Sequence, residues 1–369
     1  MRRRATAAVA LPVSMVLFAA TGCGALDESL KPWFMRSDSE YPSGLPTVSG
    51  EVGEEPNVEF PGEEPPEEPL TGIAVEGPEE DQGDLVRSGD AIVSQMVSYE
   101  WSGQGETQEL SSTYDDDTPL AVSLQPGPQV ADLIECVTDA TVGSRVVCAF
   151  PPDPEQMGAD PAMQQMATQV IILDIEQHYP QGSTVTAEQT EDGGGDLPTV
   201  TEVDGEQPEI SIPDEDPPEE LETVVLAEGD GPEVEADEQL ITQYTGMTWD
   251  DGEVFDSTWM PGRNGTPQEF QVADGAVIDG WVDGLVGQNV GDRVMLVIPP
   301  DLAYGEDEDA AGGQPSGTLV FVVDILGSAP PVPEQEMPEP DMEDMEGMEG
   351  MEGMEDLDLE DLDLEGMEE

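Results

Sequence analysis

Apolar residues crowd into two stretches of this chain and are sparse elsewhere. The first runs from Ala91-Ile92-Val93 to Val170-Ile171-Ile172-Leu173, and the second from Val224 to Leu326. Within the second, Arg293–Ile298 and Leu319–Ile325 are β-branched and aromatic runs bounded by Gly and Pro, the pattern of strands. Between the strands Val277, Trp281 and Leu285 recur at i, i+4 and i+8, which puts them on one face of a short helix. Many strands with one amphipathic helix predict an α+β domain, an antiparallel β-sheet wrapped around a short α-helix.

The two stretches read as copies of one unit. Val142-Gly143-Ser144-Arg145-Val146, followed by Pro151-Pro152-Asp153, parallels Val290-Gly291-Asp292-Arg293-Val294 followed by Pro299-Pro300-Asp301. Tyr99 and Leu110 fall opposite Tyr244 and Phe255 at one constant offset. An ordered set of matches at fixed spacing argues for duplication.

Between and beyond the copies the composition changes. Residues 23–84 hold runs such as Glu63-Glu64-Pro65-Pro66-Glu67-Glu68-Pro69, and 179–220 hold Gly193-Gly194-Gly195 and Asp216-Pro217-Pro218-Glu219-Glu220. Both read as disordered acidic segments, a tether and a linker, with little to bury. Residues 328–369 carry no basic residue and repeat Met-Glu-Gly, so self-repulsion keeps them unfolded. With 85 acidic residues against nine basic ones, the formal charge is −76, which excludes nucleic acid as a partner. Residues 233–327 alone hold 19 acidic and two basic side chains, so folding of that copy should gain from added salt.

The start reads as an export signal. Arg2-Arg3-Arg4 precede an apolar run from Ala5 to Ala20, too short to span a membrane. Ala20-Thr21-Gly22-Cys23 resembles a bacterial lipobox, in which residues 1–22 are removed and Cys23 is lipidated. The alternative is a soluble secreted form. Cys136 and Cys148 then remain as a possible disulfide, with two buried thiols as the other reading.

One series of residues in the second copy is specific as a set. Tyr244-Thr245-Gly246, Asp251-Gly252, Phe255-Asp256-Ser257 and Phe270 are followed by Val277-Ile278-Asp279-Gly280-Trp281 and Gly291-Asp292-Arg293. Ile298-Pro299-Pro300, Ala303-Tyr304-Gly305 and Thr318-Leu319-Val320-Phe321 complete it. This series resembles the FKBP-type peptidyl-prolyl cis–trans isomerase family over about 100 residues. Taken singly, each ring reads as ordinary core and Asp256 as a turn cap. The resemblance implies instead a proline pocket with Trp281 as floor and Tyr244, Phe255 and Phe321 as walls. It places Val277 and Ile278 along one side, Phe270 beneath, and the Tyr304 hydroxyl toward a substrate carbonyl. Asp256 becomes a half-buried carboxylate paired with Tyr244 and Arg263.

Such a pocket needs no cofactor and no metal. The X–Pro bond resists rotation by about 18–20 kcal/mol through C–N resonance, and moving it from water into an aromatic recess favours the twisted, less polar form. His178, the one histidine, lies outside the implied site. Two departures point to a looser pocket: Gly312 and Gly313 stand where the family places bulky apolar residues, and Gln268 where many members have an aromatic.

The first copy lacks the set. Opposite Phe255, Asp256, Trp281, Tyr304 and Phe321 it has Leu110, Ser111, Leu133, Gln156 and Ile171, with only Tyr99 retained among the rings. The expected organisation is a signal peptide (1–22), a tether (23–84), a degenerate FKBP-like domain (85–178), a linker (179–220), an FKBP-type isomerase domain (221–327) and a tail (328–369). The implied function is isomerisation of X–Pro bonds in unfolded or partly folded exported polypeptides, by a protein lipid-anchored to the membrane and facing outward. The alternative is a non-catalytic surface chaperone or binding lipoprotein built on the same fold.

Overall fold

A computed structural model describes residues 41–78, 85–103, 106–152, 167–203, 205–306 and 313–331. The chain divides into a short unit, residues 1–42, and a large one, residues 43–369, to which everything below belongs. The expected export signal (1–22), Cys23, Gln156, Gly312 and the residues from 332 onward lie outside the described residues.

The large unit traces the same path twice. The first pass runs β1 (Thr47–Ser49), β2 (Asn57–Glu59), β3 (Leu70–Val75), β4 (Ala91–Gly103), β5 (Glu106–Ser112), β6 (Leu120–Ser123), α1 (Ala131–Val137), β7 (Arg145–Phe150) and β8 (Thr168–Tyr179). The second runs β9 (Thr199–Thr201), β10 (Glu209–Ser211), β11 (Glu222–Ala227), β12 (Gln239–Thr248), β13 (Val254–Ser257), β14 (Gln268–Gln271), α2 (Asp279–Leu285), β15 (Arg293–Ile298) and β16 (Leu319–Ala329). Each pass opens with a small antiparallel hairpin, β1–β2 or β9–β10. Each then forms a six-stranded sheet, β3-β7-β8-β4-β5 with β6 also on β4, and β11-β15-β16-β12-β13 with β14 also on β12. Both are antiparallel sheets wrapped over one short helix, the α+β architecture expected twice over.

The helix side of the second sheet holds its main core. Val294, Leu296 and Ile298 of β15 and Leu319, Phe321, Val323 and Ile325 of β16 pack with Trp281 and Leu285 of α2. The intervening residues are apolar too. Met295, Val297, Val320 and Val322 point to the other face, where they meet Val200, Leu197, Ile210, Ile212 and Trp249. Strands apolar on both faces require cover on both, and residues 197–212 supply it.

That requirement corrects two boundaries. The segment 179–220, expected as a disordered linker, folds onto the second sheet through β9 and β10. The tether assigned to 23–84 contains β3, which pairs with β7 from Leu70 opposite Ala149 onward, and the β1–β2 hairpin. Phe60 follows that hairpin and meets Tyr99 and Trp101 edge-on at 5.4 Å. Sheet by sheet, the domains span residues 70–179 and 222–329.

A buried ion pair ties each covering segment down. Arg145 Nε and Nη2 donate to Asp174 Oδ1 and Oδ2, both at 2.6 Å, and Arg293 makes the same fork to Asp324 at 2.6 and 2.8 Å. Arg145 also donates to the Glu51 and Glu54 carbonyls, while Gly53 N–H donates to Asp174 at 2.6 Å. On the second copy Val185 N–H donates to Asp324, and Arg293 reaches Glu202 at 3.5 Å. The duplicated Gly-x-Arg motif thus marks a clamp on the preceding hairpin.

Helix-to-sheet attachment differs between the copies. A Cys136–Cys148 disulfide, with Cα atoms 5.8 Å apart, links α1 to β7. In the second copy Gly284 and Leu296 touch instead, and a Cβ on Gly284 would lie 2.5 Å from Leu296 Cδ2. Helix α2 begins at Asp279, so Val277 precedes it rather than sharing its face.

Candidate active site

The rings of the second copy converge on the open side of α2. Trp281, 4% exposed on the first turn of the helix, is the hub. Tyr244, Phe270 and Phe321 meet it edge-on, with centroids 5.5, 5.2 and 5.4 Å away. Phe255 in turn meets Phe321 at 5.6 Å and 88°. Edge-to-face contacts place positive ring edges on negative faces and hold the rings without filling the space above them. Gly246 makes the approach possible, because a Cβ there would lie 2.6 Å from Phe321 and 2.8 Å from Phe255.

Above the rings lies a recess of about 570 Å³. All nine residues singled out as pocket residues line it: Tyr244, Phe255, Asp256, Phe270, Val277, Ile278, Trp281, Tyr304 and Phe321. Arg263, Ala276, Gly313, Gln314 and Pro315 complete the lining. Ala276, Gln314 and Pro315 were not anticipated. Pro315 did leave a signal, as an apolar residue just past an acidic loop and two glycines.

One corner is polar. The Tyr244 hydroxyl donates to Asp256 Oδ2 at 2.6 Å, and Arg263 Nη1 donates to Asp256 Oδ1 at 2.7 Å and to the Tyr244 oxygen at 2.6 Å. Burial, with the Asp256 carboxylate second, pushes the Tyr244 phenol well above its ordinary value. Tyr304 is raised by the same two causes in the same order. Both phenols therefore remain hydrogen-bond donors across the neutral range. Among the described residues no group of three or more His, Cys, Asp or Glu side chains is placed to hold a metal ion.

The pairing of strands gives the equivalent positions of the first copy and corrects one of them. Gln95 faces Asp174 as Gln243 faces Asp324, so Tyr244 corresponds to Met96, not Tyr99. Met96 N–H and Tyr244 N–H also bond to Thr113 and Thr258 in the same way. Tyr99 lies three residues on, against Phe60. Leu110, Ser111, Leu133 and Ile171 do occupy the Phe255, Asp256, Trp281 and Phe321 positions. Met96, Leu133 and Ile171 pack onto the core, Ser111 bonds Ser98 at 2.7 Å, and Leu110 is 51% exposed. No ring-lined recess can form from these residues.

The sequence model of the FKBP-type peptidyl-prolyl cis–trans isomerases matches residues 231–326. An FK506-binding protein of Streptomyces anulatus is 42% identical over 123 residues, covering 33% of this chain and 96% of the relative. The chain belongs to the FKBP-type isomerase family. A probable FK506-binding protein of Corynebacterium glutamicum is 36% identical over 33% of this chain and 99% of its own length. The Drosophila melanogaster peptidyl-prolyl cis–trans isomerase Fkbp12 is 39% identical over 29% and 95% respectively. As an FKBP-type isomerase the chain is an enzyme, and the matched stretch, residues 231–326, contains every residue that lines the recess.

Proposed function

We propose that the second domain isomerises X–Pro bonds of unfolded or partly folded exported polypeptides at the outer face of the cell membrane, with a lipid on Cys23 as the anchor. The reading rests on one observation, a ring-floored recess whose charged corner is internally neutralised by the Tyr244–Asp256–Arg263 triangle.

The proline ring would enter over Trp281, between Tyr244, Phe255 and Phe321, with Val277 alongside and Phe270 supporting the floor. The Ile278 backbone would hold the peptide in register, and Tyr304 would donate to a substrate carbonyl. In water the planar imide is favoured because its resonance charge on oxygen is solvated. Among apolar rings that support is lost, while the twisted form, with its more localised nitrogen lone pair, loses less. No bond other than the rotating one changes, so catalysis reduces to shape and polarity.

The export signal motivates the cellular part of the proposal, and no described helix is long and apolar enough to cross a membrane. A prolyl-peptide isomerisation assay on the full chain, with Trp281→Ala beside it, tests the enzymatic part. Wild-type rates no faster than buffer would leave the surface-chaperone reading in its place. Labelling with a radioactive fatty acid, abolished by Cys23→Ser, tests the anchor.

A further inference from the structure

The recess is not the work of the second domain alone. Two of its lining residues, Arg263 and Phe270, stand at the ends of one eight-residue segment, and the middle of that segment is held by the first domain and by the connector leaving it. Ser123 N–H donates to Glu269 Oε2 at 2.9 Å, and Gln268 Nε2 donates to Ser123 Oγ and Gln125 Oε1, each at 3.1 Å. Gly182 N–H donates to the Gly265 carbonyl at 2.7 Å, while Gln181 Nε2 reaches Thr266 Oγ1 at 3.4 Å. The connector is itself fixed to the first domain, since Gln181 N–H donates to Asp90 at 2.8 Å, and Asp90 also bonds His178.

Apolar contact backs these hydrogen bonds. Ala91, Val93 and Ala121 of the first domain form one buried cluster with Ile241 and Ala329 of the second. Val93 and Ile241 occupy equivalent positions on β4 and β12, so the two copies meet through the same face. Gln239 closes the contact, accepting from Ala121 N–H and donating to the Pro119 carbonyl. β14 is a four-residue strand paired on one side only, to β12, so these contacts are what supports its other edge.

We propose that the catalytically silent first domain is a positioning element for the pocket of the second. By gripping residues 265–269 it fixes Phe270 under Trp281 and Arg263 on Asp256. Ser123, Gln125 and Gln181 are then positioning residues that act through Glu269, Gln268 and Thr266, none of which lines the recess. The proposal rests on the isomerase reading of that recess, and the wild-type rate, measured first, separates failure of one from failure of the other.

The test uses the full chain and a neutral Leu-Pro peptide. Glu269→Ala removes the acceptor of Ser123 N–H, and Ala121→Arg drives a charge into the apolar cluster from the first domain. Each should lower kcat/KM about fivefold, the order expected for one lost hydrogen bond. Glu269→Gln keeps an oxygen acceptor and should recover most of the loss, which a general weakening of the strand would not allow. Near-UV circular dichroism, reporting the ring cluster, shows that the second domain is still folded in each variant. Wild-type kcat/KM in either Glu269→Ala or Ala121→Arg overturns the proposal.

Discussion

The Tyr244 hydroxyl and the Asp256 carboxylate meet at 2.6 Å on the wall of the recess, with Arg263 bonded to both. The arrangement leaves the corner polar but without net charge, so the apolar volume above Trp281 is not flooded by an unpaired ion. Asp256 and Arg263 remain about one-third exposed, and ion pairs so exposed contribute little to stability.

The rim should therefore matter more for rate than for folding. Asp256→Ala is expected to lower kcat/KM about fivefold to tenfold, because Tyr244 and Arg263 lose their common acceptor. The urea midpoint should move by less than that of any core variant. A large loss of stability with unchanged kcat/KM would reverse the assignment.

Trp281→Leu places in the pocket floor the residue type that stands at the equivalent position of the first copy, Leu133. The helix should still form and pack, at a cost of about 2–3 kcal/mol for the cavity. Turnover should fall by about tenfold or more, since the lost ring removes apolar contact with the proline. In the same chain Tyr304→Phe should cost about fivefold, the effect of one neutral hydrogen bond. If the double variant Trp281→Ala/Tyr304→Phe turns over as fast as wild type, the activity does not reside in this recess.

How much of this could be read from the chain depends on the residue. The ring set was legible only through resemblance, because Tyr244, Phe255, Phe270, Trp281 and Phe321 stand in the order of the family's series, whereas singly each reads as ordinary core. Tyr99 misled, because the hairpin from Ser98 to Ser111 is three residues longer than its counterpart from Gly246 to Asp256, so the offset that holds for β5 does not carry back to β4. The covering hairpins were masked by composition: their few apolar residues sit in Pro- and Glu-rich sequence. A signal was nevertheless present, since Leu45-Pro46-Thr47-Val48 and Pro65-Pro66-Glu67-Glu68 recur as Leu197-Pro198-Thr199-Val200 and Pro217-Pro218-Glu219-Glu220 at the same interval. The docking of one copy on the other left no such trace, because Ala91, Ala121 and Ala329 look like filler in any strand.

Alkaline pH offers a test of how the tyrosines are placed. Burial raises Tyr99 and Tyr179 to about 12, and Tyr114, Tyr244 and Tyr304 are also raised, burial first in each case. A phenol raised in the folded state holds its proton where the unfolded chain has released it. Its contribution is complete below pH 10 and is lost as pH climbs through the folded values. Stability in urea should be unaffected by these groups from pH 7 to 9 and decline above pH 10. A midpoint that rises between pH 10 and 11.5 would contradict the buried placement.

The clamp on the covering hairpin gives the sharpest stability prediction. Arg293 and Asp324 are almost wholly enclosed, and Asp324 Oδ2 also receives the Val185 N–H. Removing the carboxylate in Asp324→Ala strands a guanidinium in the sheet, and breaking a buried pair from one side costs about 3–5 kcal/mol. It also frees residues 185–202 from their anchor. Urea unfolding should show the loss in the second domain, and limited proteolysis should cut between residues 185 and 212 before the sheet itself opens. Replacing both partners, Arg293→Met with Asp324→Leu, removes the stranded charge and should recover most of the unfolding free energy. It would not restore protection of the hairpin, because an apolar pair has nothing to offer the Val185 N–H or Glu202. Recovery of stability together with protection would mean that residues 197–212 are held by the apolar contacts of Val200, Ile210 and Ile212 alone.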